Sequence, residues 1–389
     1  MYDTILYMSE DKKANAMSRR GLFQAAPLGA AAAFLAPQHA QAQEQPAAIP
    51  SLKFDIEAQT HWKGEAGSAN EATVAEFPIS QNIAGVSMRL KPGAIRELHW
   101  HALAAEWAYM IEGRVRTTVV MPNGQSAIDE FGPGDTWYFP RGHGHLLQGL
   151  GPGEAHFLLG FDNGHFSEFG TFSITDWIAN TPPEIASRVL NVPASTLAKF
   201  PKKEVYIGPG PVPTTILEEL RLRESQTSQF AHKYRLDMQT PRVFEGGIEY
   251  MVTQKDFPIQ TTFTAVKMIL KPGALREMHW HPHADEWQYF LSGQASMTVF
   301  GSHGRTRTEE YRKGNVGFVP QGYGHYIEQI GDQPTELLIL FKSPEYQEIS
   351  LANWLGGNPS SLLSANFGIP QDAIDKLPKK ERGILARKS

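Results

Sequence analysis

The sequence predicts an all-β protein of two tandem jelly-roll barrels (double-stranded β-helices) with a few short helices, and three observations carry that expectation. The chain repeats itself, short apolar stretches alternate with turn residues, and 389 residues suffice for two domains with accessory segments. The repeat is direct: Phe77-Pro78-Ile79 returns as Phe257-Pro258-Ile259, and Leu90-Lys91-Pro92-Gly93-Ala94 as Leu270-Lys271-Pro272-Gly273-Ala274, both at an offset of 180 residues. Composition agrees, because 35 Gly, 27 Pro and 11% aromatic residues suit many short strands joined by tight turns.

The first 42 residues read as an export signal. Ser18-Arg19-Arg20-Gly21-Leu22-Phe23 resembles a twin-arginine motif, an Ala-rich apolar stretch runs from Ala25 to Ala36, and Ala40-Gln41-Ala42 offers the small residues a signal peptidase needs. The mature chain then begins at Gln43, with Met17 as an alternative start. The apolar stretch is too short to span a bilayer comfortably, so the expectation is a periplasmic or secreted protein exported by the twin-arginine pathway and free of the membrane after cleavage. The first barrel, with an N-terminal arm and a linker, takes 43–235; the second, with a C-terminal helical tail, takes 236–389. Each copy alternates stretches such as Ala108 to Val120 with turns such as Pro122-Asn123-Gly124 and Gly132-Pro133-Gly134. Helices are predicted where that pattern lapses: Ile174 to Ala179, Pro183 to Leu190, Thr215 to Glu224 and Pro370 to Lys376.

A net charge of -5 with 20% charged residues supplies no basic field, which excludes nucleic acid as a partner. With no Cys there is no disulfide framework, thiolate nucleophile or sulfur metal site, so any metal must sit on nitrogen and oxygen. Such a donor set occurs twice. His99, His101, Glu106 and His145 map at the same offset onto His279, His281, Glu286 and His325. Strand period two puts His99 and His101 on one face, Glu106 returns on the next strand, and His145 arrives from a distant one. Three neutral nitrogens and a carboxylate leave two open positions on an octahedral ion. The repeat also filters candidates: His143 faces Tyr323 and His283 faces Leu103, while His61, His156, His165, His232 and His303 have no histidine counterpart, so none is taken as a ligand.

The glycines and prolines around these ligands, Gly93, Gly113, Gly134, Pro140 and Gly142, with their counterparts in the second copy, resemble the paired motifs of the cupin superfamily. The customary Asn closing the second motif is replaced by Gly149 and Gln329, which touches a strand-end turn and not the ligands. The strings from Pro92 to His101, Glu106 to Met110, Gly134 to Pro140 and Phe166-Ser167-Glu168 are similar to the bicupin oxalate decarboxylases. That resemblance implies one Mn(II) per cupin domain, dioxygen as co-catalyst, oxalate as substrate, formate and carbon dioxide as products, and a homo-oligomer, trimer or hexamer. Charge counting supports a small diacid, since a divalent ion, one carboxylate ligand and one Arg sum to roughly +2.

The resemblance further implies that Arg96 and Arg276 orient substrate, although strand parity counted back from His99 points Glu97 inward and Arg96 outward. It also implies that Glu168, in a glycine-flanked segment after a strand ending near Phe161, is a lid proton donor whose pKa closure should raise. The family's lid often reads Ser-Glu-Asn-Ser-Thr, whereas Phe169-Gly170 follows Glu168 here. A bicupin oxalate oxidase, releasing carbon dioxide and hydrogen peroxide, and a non-enzymatic binding or storage bicupin remain the alternatives. The first barrel is expected to carry turnover and the second mainly to bind metal; Glu348 counts as the equivalent of Glu168, in a shorter connection stiffened by Pro344.

Overall fold

The computed structural model describes residues 47–59, 61–219 and 231–387. The expected export signal over 1–42 lies outside the described residues, and the helix expected over Thr215 to Glu224 runs into the undescribed 220–230. Among the described residues each repeat pairs a seven-stranded with a six-stranded antiparallel sheet. In the first repeat the larger sheet has Ala155–Phe161 at its centre, between Glu106–Glu112 and Ala84–Leu90. The smaller one runs Phe172–Ser173, Ile95–Trp100, Gly144–Gly149, Val115–Val120, Ser126–Phe131, with Ile207–Gly208 beside Ile95–Trp100. The second repeat follows the same order. The sheets face one another as a jelly roll and do not close into continuous barrels, which refines the expected architecture.

Burial explains the strand sequences. Ala155–Phe161 is apolar at nearly every position because both its faces are covered. Gln294–Phe300 alternates because its outer face meets water. Each repeat has its own core between its sheets, around Trp137 and Phe157 in the first and Phe290 and Tyr311 in the second. A third core joins the outer faces of the two larger sheets through Trp107, Tyr109, Leu158, Trp287, Tyr289 and Leu340. At this seam Gly85 is required, since a Cβ there would come within 2.2 Å of the Trp287 ring.

The leading segments cross between repeats. Lys53–Asp55, on the arm expected with the first repeat, pairs with Asn315–Val319 of the second, and Lys233–Arg235 pairs with Asp135–Phe139 of the first. Helices Ile174–Ala179 and Pro183–Leu190 form at the expected residues, and the C-terminal one is shorter, Gln371–Ile374. Ser173 fixes the first start by accepting hydrogen bonds from the amides of Thr175 and Asp176. Ala194–Leu197, Leu351–Gly356 and Ser360–Phe367 were not anticipated; they are too short or too weakly patterned for the helical period to register.

Candidate metal centres

Both quartets assemble. In each repeat the four ligand atoms lie within 4.8 Å of one another, with all eight side chains buried. Donors on opposite sides of one ion, each about 2.0–2.2 Å from it, are about 4.4 Å apart, so the spacing fits a shared cation. Five of the six histidines are preset by backbone partners. Nδ1 of His99 donates to Glu97 O (2.5 Å), of His145 to His143 O (2.9 Å), of His279 to Glu277 O (2.7 Å), of His281 to Gln347 O (2.8 Å) and of His325 to Tyr323 O (3.2 Å). A carbonyl only accepts, so each Nε2 keeps its lone pair for the interior. Burial, with the neighbouring Arg96 and imidazoles, pushes His99 well below the usual histidine pKa; burial and Arg276 do the same to His279.

The carboxylates are prepared as well. Trp137 Nε1 donates to Glu106 Oε1 (2.7 Å), leaving Oε2 without a partner 3.3 Å from His145 Nε2. In the second repeat Gly317 stands where Trp137 does, and Gln288, replacing Ala108, donates instead to Glu286 Oε1 (2.6 Å). The orphaned inner atoms are Nε2 of His99, His101, His145, His281 and His325, and Oε2 of Glu106 and Glu286. A buried polar atom without a partner costs about 1–3 kcal/mol. A divalent cation in each quartet satisfies these atoms together.

Arg96 stands beside the first quartet, fully buried, which corrects the parity expectation. Where Gly144–Gly149 pairs with Ile95–Trp100, His145 faces His99 but Leu147 faces Arg96, two residues against three. This bulge absorbs one residue, so Arg96 returns to the ligand face and Leu98 turns outward. The same slip places Arg276 beside the second quartet. Glu97 is buried in a structural role, accepting from Ser173 Oγ, Thr175 Oγ1 and the amides of Val205 and Tyr206.

Glu168 closes the first site. It begins the 3-10 turn Glu168–Gly170 and is 1% exposed, with Oε1 2.9 Å from Arg96 Nε and Oε2 3.4 Å from His101 Nε2. Burial alone pushes this carboxyl up, but Arg96 and His101 outweigh it and hold the pKa at about 2. In this arrangement the carboxyl meets a guanidinium and not an apolar wall, so its pKa is lowered, opposite in direction to the shift expected on closure.

The cupin family profile matches residues 54–197 and 235–375. An oxalate decarboxylase of Bacillus subtilis (strain 168) is 43% identical over 341 residues, spanning 87% of this chain and 88% of that one. A probable oxalate decarboxylase of Arthroderma benhamiae is 35% identical over 344 residues, spanning 87% and 84%. A solved structure of the Bacillus subtilis enzyme, from work on its Mn(II) centres, superposes with a TM-score of 0.83 at 43% identity, covering 88% of this chain and 90% of that one. The chain belongs to the bicupin oxalate decarboxylase family.

Within this bicupin the two sites are not copies. Glu348 meets Arg276 as Glu168 meets Arg96, but the second guanidinium also has Glu249 Oε1 at 3.4 Å from Nε, and Tyr346 bonds to both Arg276 and Glu348. The first-repeat counterparts of Glu249 and Tyr346 are Ala69 and Phe166. Arg96 instead lies under the Tyr206 ring, 4.2 Å from its centroid, with Glu204 Oε1 3.7 Å from Nη1. Sequence reading assigned no role to Trp137, Gln288, Tyr206, Glu204, Glu249 or Tyr346. The first two were findable as compensating exchanges at the 180-residue offset; Tyr206 and Glu204 come from beyond the motifs, and only the fold returns them. His143 and His283 bond to nearby backbone or Ser343 and join no quartet.

Proposed function

We infer that this bicupin converts oxalate to formate and carbon dioxide, consuming one proton per dianion, with Mn(II) in each His3Glu quartet and dioxygen as co-catalyst. The observation that carries this reading is the buried Glu168 carboxyl, poised between Arg96 and His101 over the first quartet. A divalent ion there supplies positive charge and open positions for a small anionic diacid. Arg96 is the group that orients the diacid, because its guanidinium offers paired donors to a carboxylate. When substrate takes those donors, Glu168 loses the partner that keeps it ionised, its pKa rises in the buried site, and it becomes able to hold and deliver the proton that makes formate. Tyr206, Phe169 and Phe166 exclude water around it.

The first repeat is the one assigned to turnover. A cavity of about 860 Å³ lined by Phe169, Tyr206, Trp62 and Lys203 lies beside the turn that carries Glu168. Arg276, although named as a second orienting arginine, is held by Glu249, Glu348 and Tyr346 and is assigned to supporting the second quartet. Metal analysis together with formate and peroxide assays on oxalate tests the reading. Formate near one per oxalate supports it, whereas stoichiometric peroxide without formate establishes the oxidase.

The aromatic clusters Trp100, Phe172, Trp177 and Trp280, Trp354, exposed at Phe172, Trp177 and Trp354, support association into a homo-oligomer, trimer or hexamer; a monomeric mass in solution would refute this. Export by the twin-arginine pathway to the periplasm or beyond rests on Arg19, Arg20 and the cleavage motif.

A further inference from the structure

Glu71 lies on the strand Gly67–Ala72, 5% exposed, and spends its side chain on the lid. Ser167 Oγ donates to both its oxygens (2.9 and 3.0 Å), and the Glu168 amide donates to Oε2 (3.1 Å). Ser167 Oγ in turn accepts from the Phe169 amide, so one carboxylate organises the turn that carries the acid. Burial pushes the Glu71 carboxyl up to about 7, with Glu76 and Glu168 adding to the rise and the Ser167 and Glu168 donors opposing it. A charge so placed is costly to bury.

The fold does not need it. The second repeat pairs Met251 with Val266 as the first pairs Glu71 with Val86, in the same register, so an apolar side chain serves at this position. Ser167 has Gln347 as its counterpart, and the latch is therefore lost at both ends in the second repeat. Only the first repeat keeps the pair.

We propose that Glu71 is the latch of the first-repeat lid, a positioning residue that holds Ser167 and the Glu168 backbone so that the Glu168 carboxyl stays over the quartet. The proposal rests on Glu168 being the proton donor, and its test has a readout independent of that reading. Amide hydrogen exchange over 163–171 is measured on the manganese-loaded protein without oxalate, followed by formate and peroxide yields with it. In Glu71→Ala, exchange in this segment should accelerate about tenfold to a hundredfold, as expected for losing together the Ser167 and Glu168 hydrogen bonds to one buried carboxyl. Formate turnover should fall by a similar factor and the peroxide share rise, with manganese content unchanged. Glu71→Gln, which keeps an acceptor oxygen, should regain most of the protection. Ser167→Ala should fall between, because the Glu168 amide keeps its acceptor. If Glu71→Ala fails to fold, Glu71→Met, carrying the second repeat's own residue, takes its place. Wild-type exchange and a wild-type product ratio in either metal-loaded variant would overturn the proposal. Absence of formate from the wild type would instead overturn the decarboxylase reading and leave the exchange result standing.

Discussion

Replacing Glu168 by Gln keeps the shape of the side chain and an acceptor for Arg96 while removing the acid. Two effects follow from the geometry. The first is chemical: a positioned general acid contributes about a hundredfold to ten-thousandfold, equivalent to about 2.7–5.4 kcal/mol of barrel-site transition-state stabilisation. The second is electrostatic. Arg96 is fully buried and its nearest carboxylate is Glu168 at 2.9 Å, with Glu204 next at 3.7 Å, so neutralising Glu168 leaves a buried charge poorly compensated. Formate turnover should therefore fall within that hundredfold to ten-thousandfold range, and residual turnover should move toward hydrogen peroxide, because dioxygen then competes for the unprotonated one-carbon fragment. The assay quantifies formate, carbon dioxide and peroxide against manganese content. Arg96 holds the Glu168 carboxyl ionised in this arrangement, so the proton is expected to arrive after substrate takes the guanidinium. Wild-type formate output from Glu168→Gln would refute this reasoning and place the donor elsewhere.

His99→Ala should abolish formate production while Glu348→Gln is mild; a severe loss from the latter would move turnover to the second repeat. Trp137→Phe removes the donor to Glu106 Oε1 and should weaken manganese retention in the first site about tenfold to a hundredfold, read as one ion per chain leaving first on dialysis against chelator; equal retention at both sites would count against it. At the seam between repeats, burial pushes the Glu57 carboxyl up, but His156, Ser87 and Arg89 outweigh it and hold it at about 2, against 4.5 when unfolded. Its stabilisation is thus present above about pH 4.5 and lost as pH falls toward 2, about 2 kcal/mol after discounting partial exposure, so the gap in urea midpoint between wild type and Glu57→Gln should shrink in acid. A gap independent of pH would contradict that assignment. Replacing Arg19 and Arg20 with Lys should leave the precursor in the cytoplasm with lysate activity intact, and periplasmic mature protein from that variant would show the motif was misread.

Much of the metal chemistry was legible because duplication filtered the histidines: a position mattered when its partner at offset 180 carried the same donor. What duplication could not show was anything that differs between copies. Glu71 was hidden because its partner is Met251, and Glu249 because its partner is Ala69. Arg96 was misdirected by period two, since a bulge is a local hydrogen-bond slip that leaves no residue signature. The state of Glu168 was unreadable for another reason: its ionisation depends on a guanidinium that lies 72 residues earlier and meets it only in three dimensions.

The crossed leading segments have a consequence for how the molecule is made. The segment around Ser51 emerges early, yet its partner Glu309 lies 258 residues later, so this early strand stays unpaired until the second repeat's sheet is made. The first repeat waits in turn for Lys233–Arg235, and Asp237 just beyond binds Tyr109. A cut at 235/236 would leave one half with the strand its neighbour lacks and the other with an open sheet edge, a template for aggregation. The first half thus carries an edge strand that the second half needs, and the unit that can be inherited, transplanted or expressed intact is the pair.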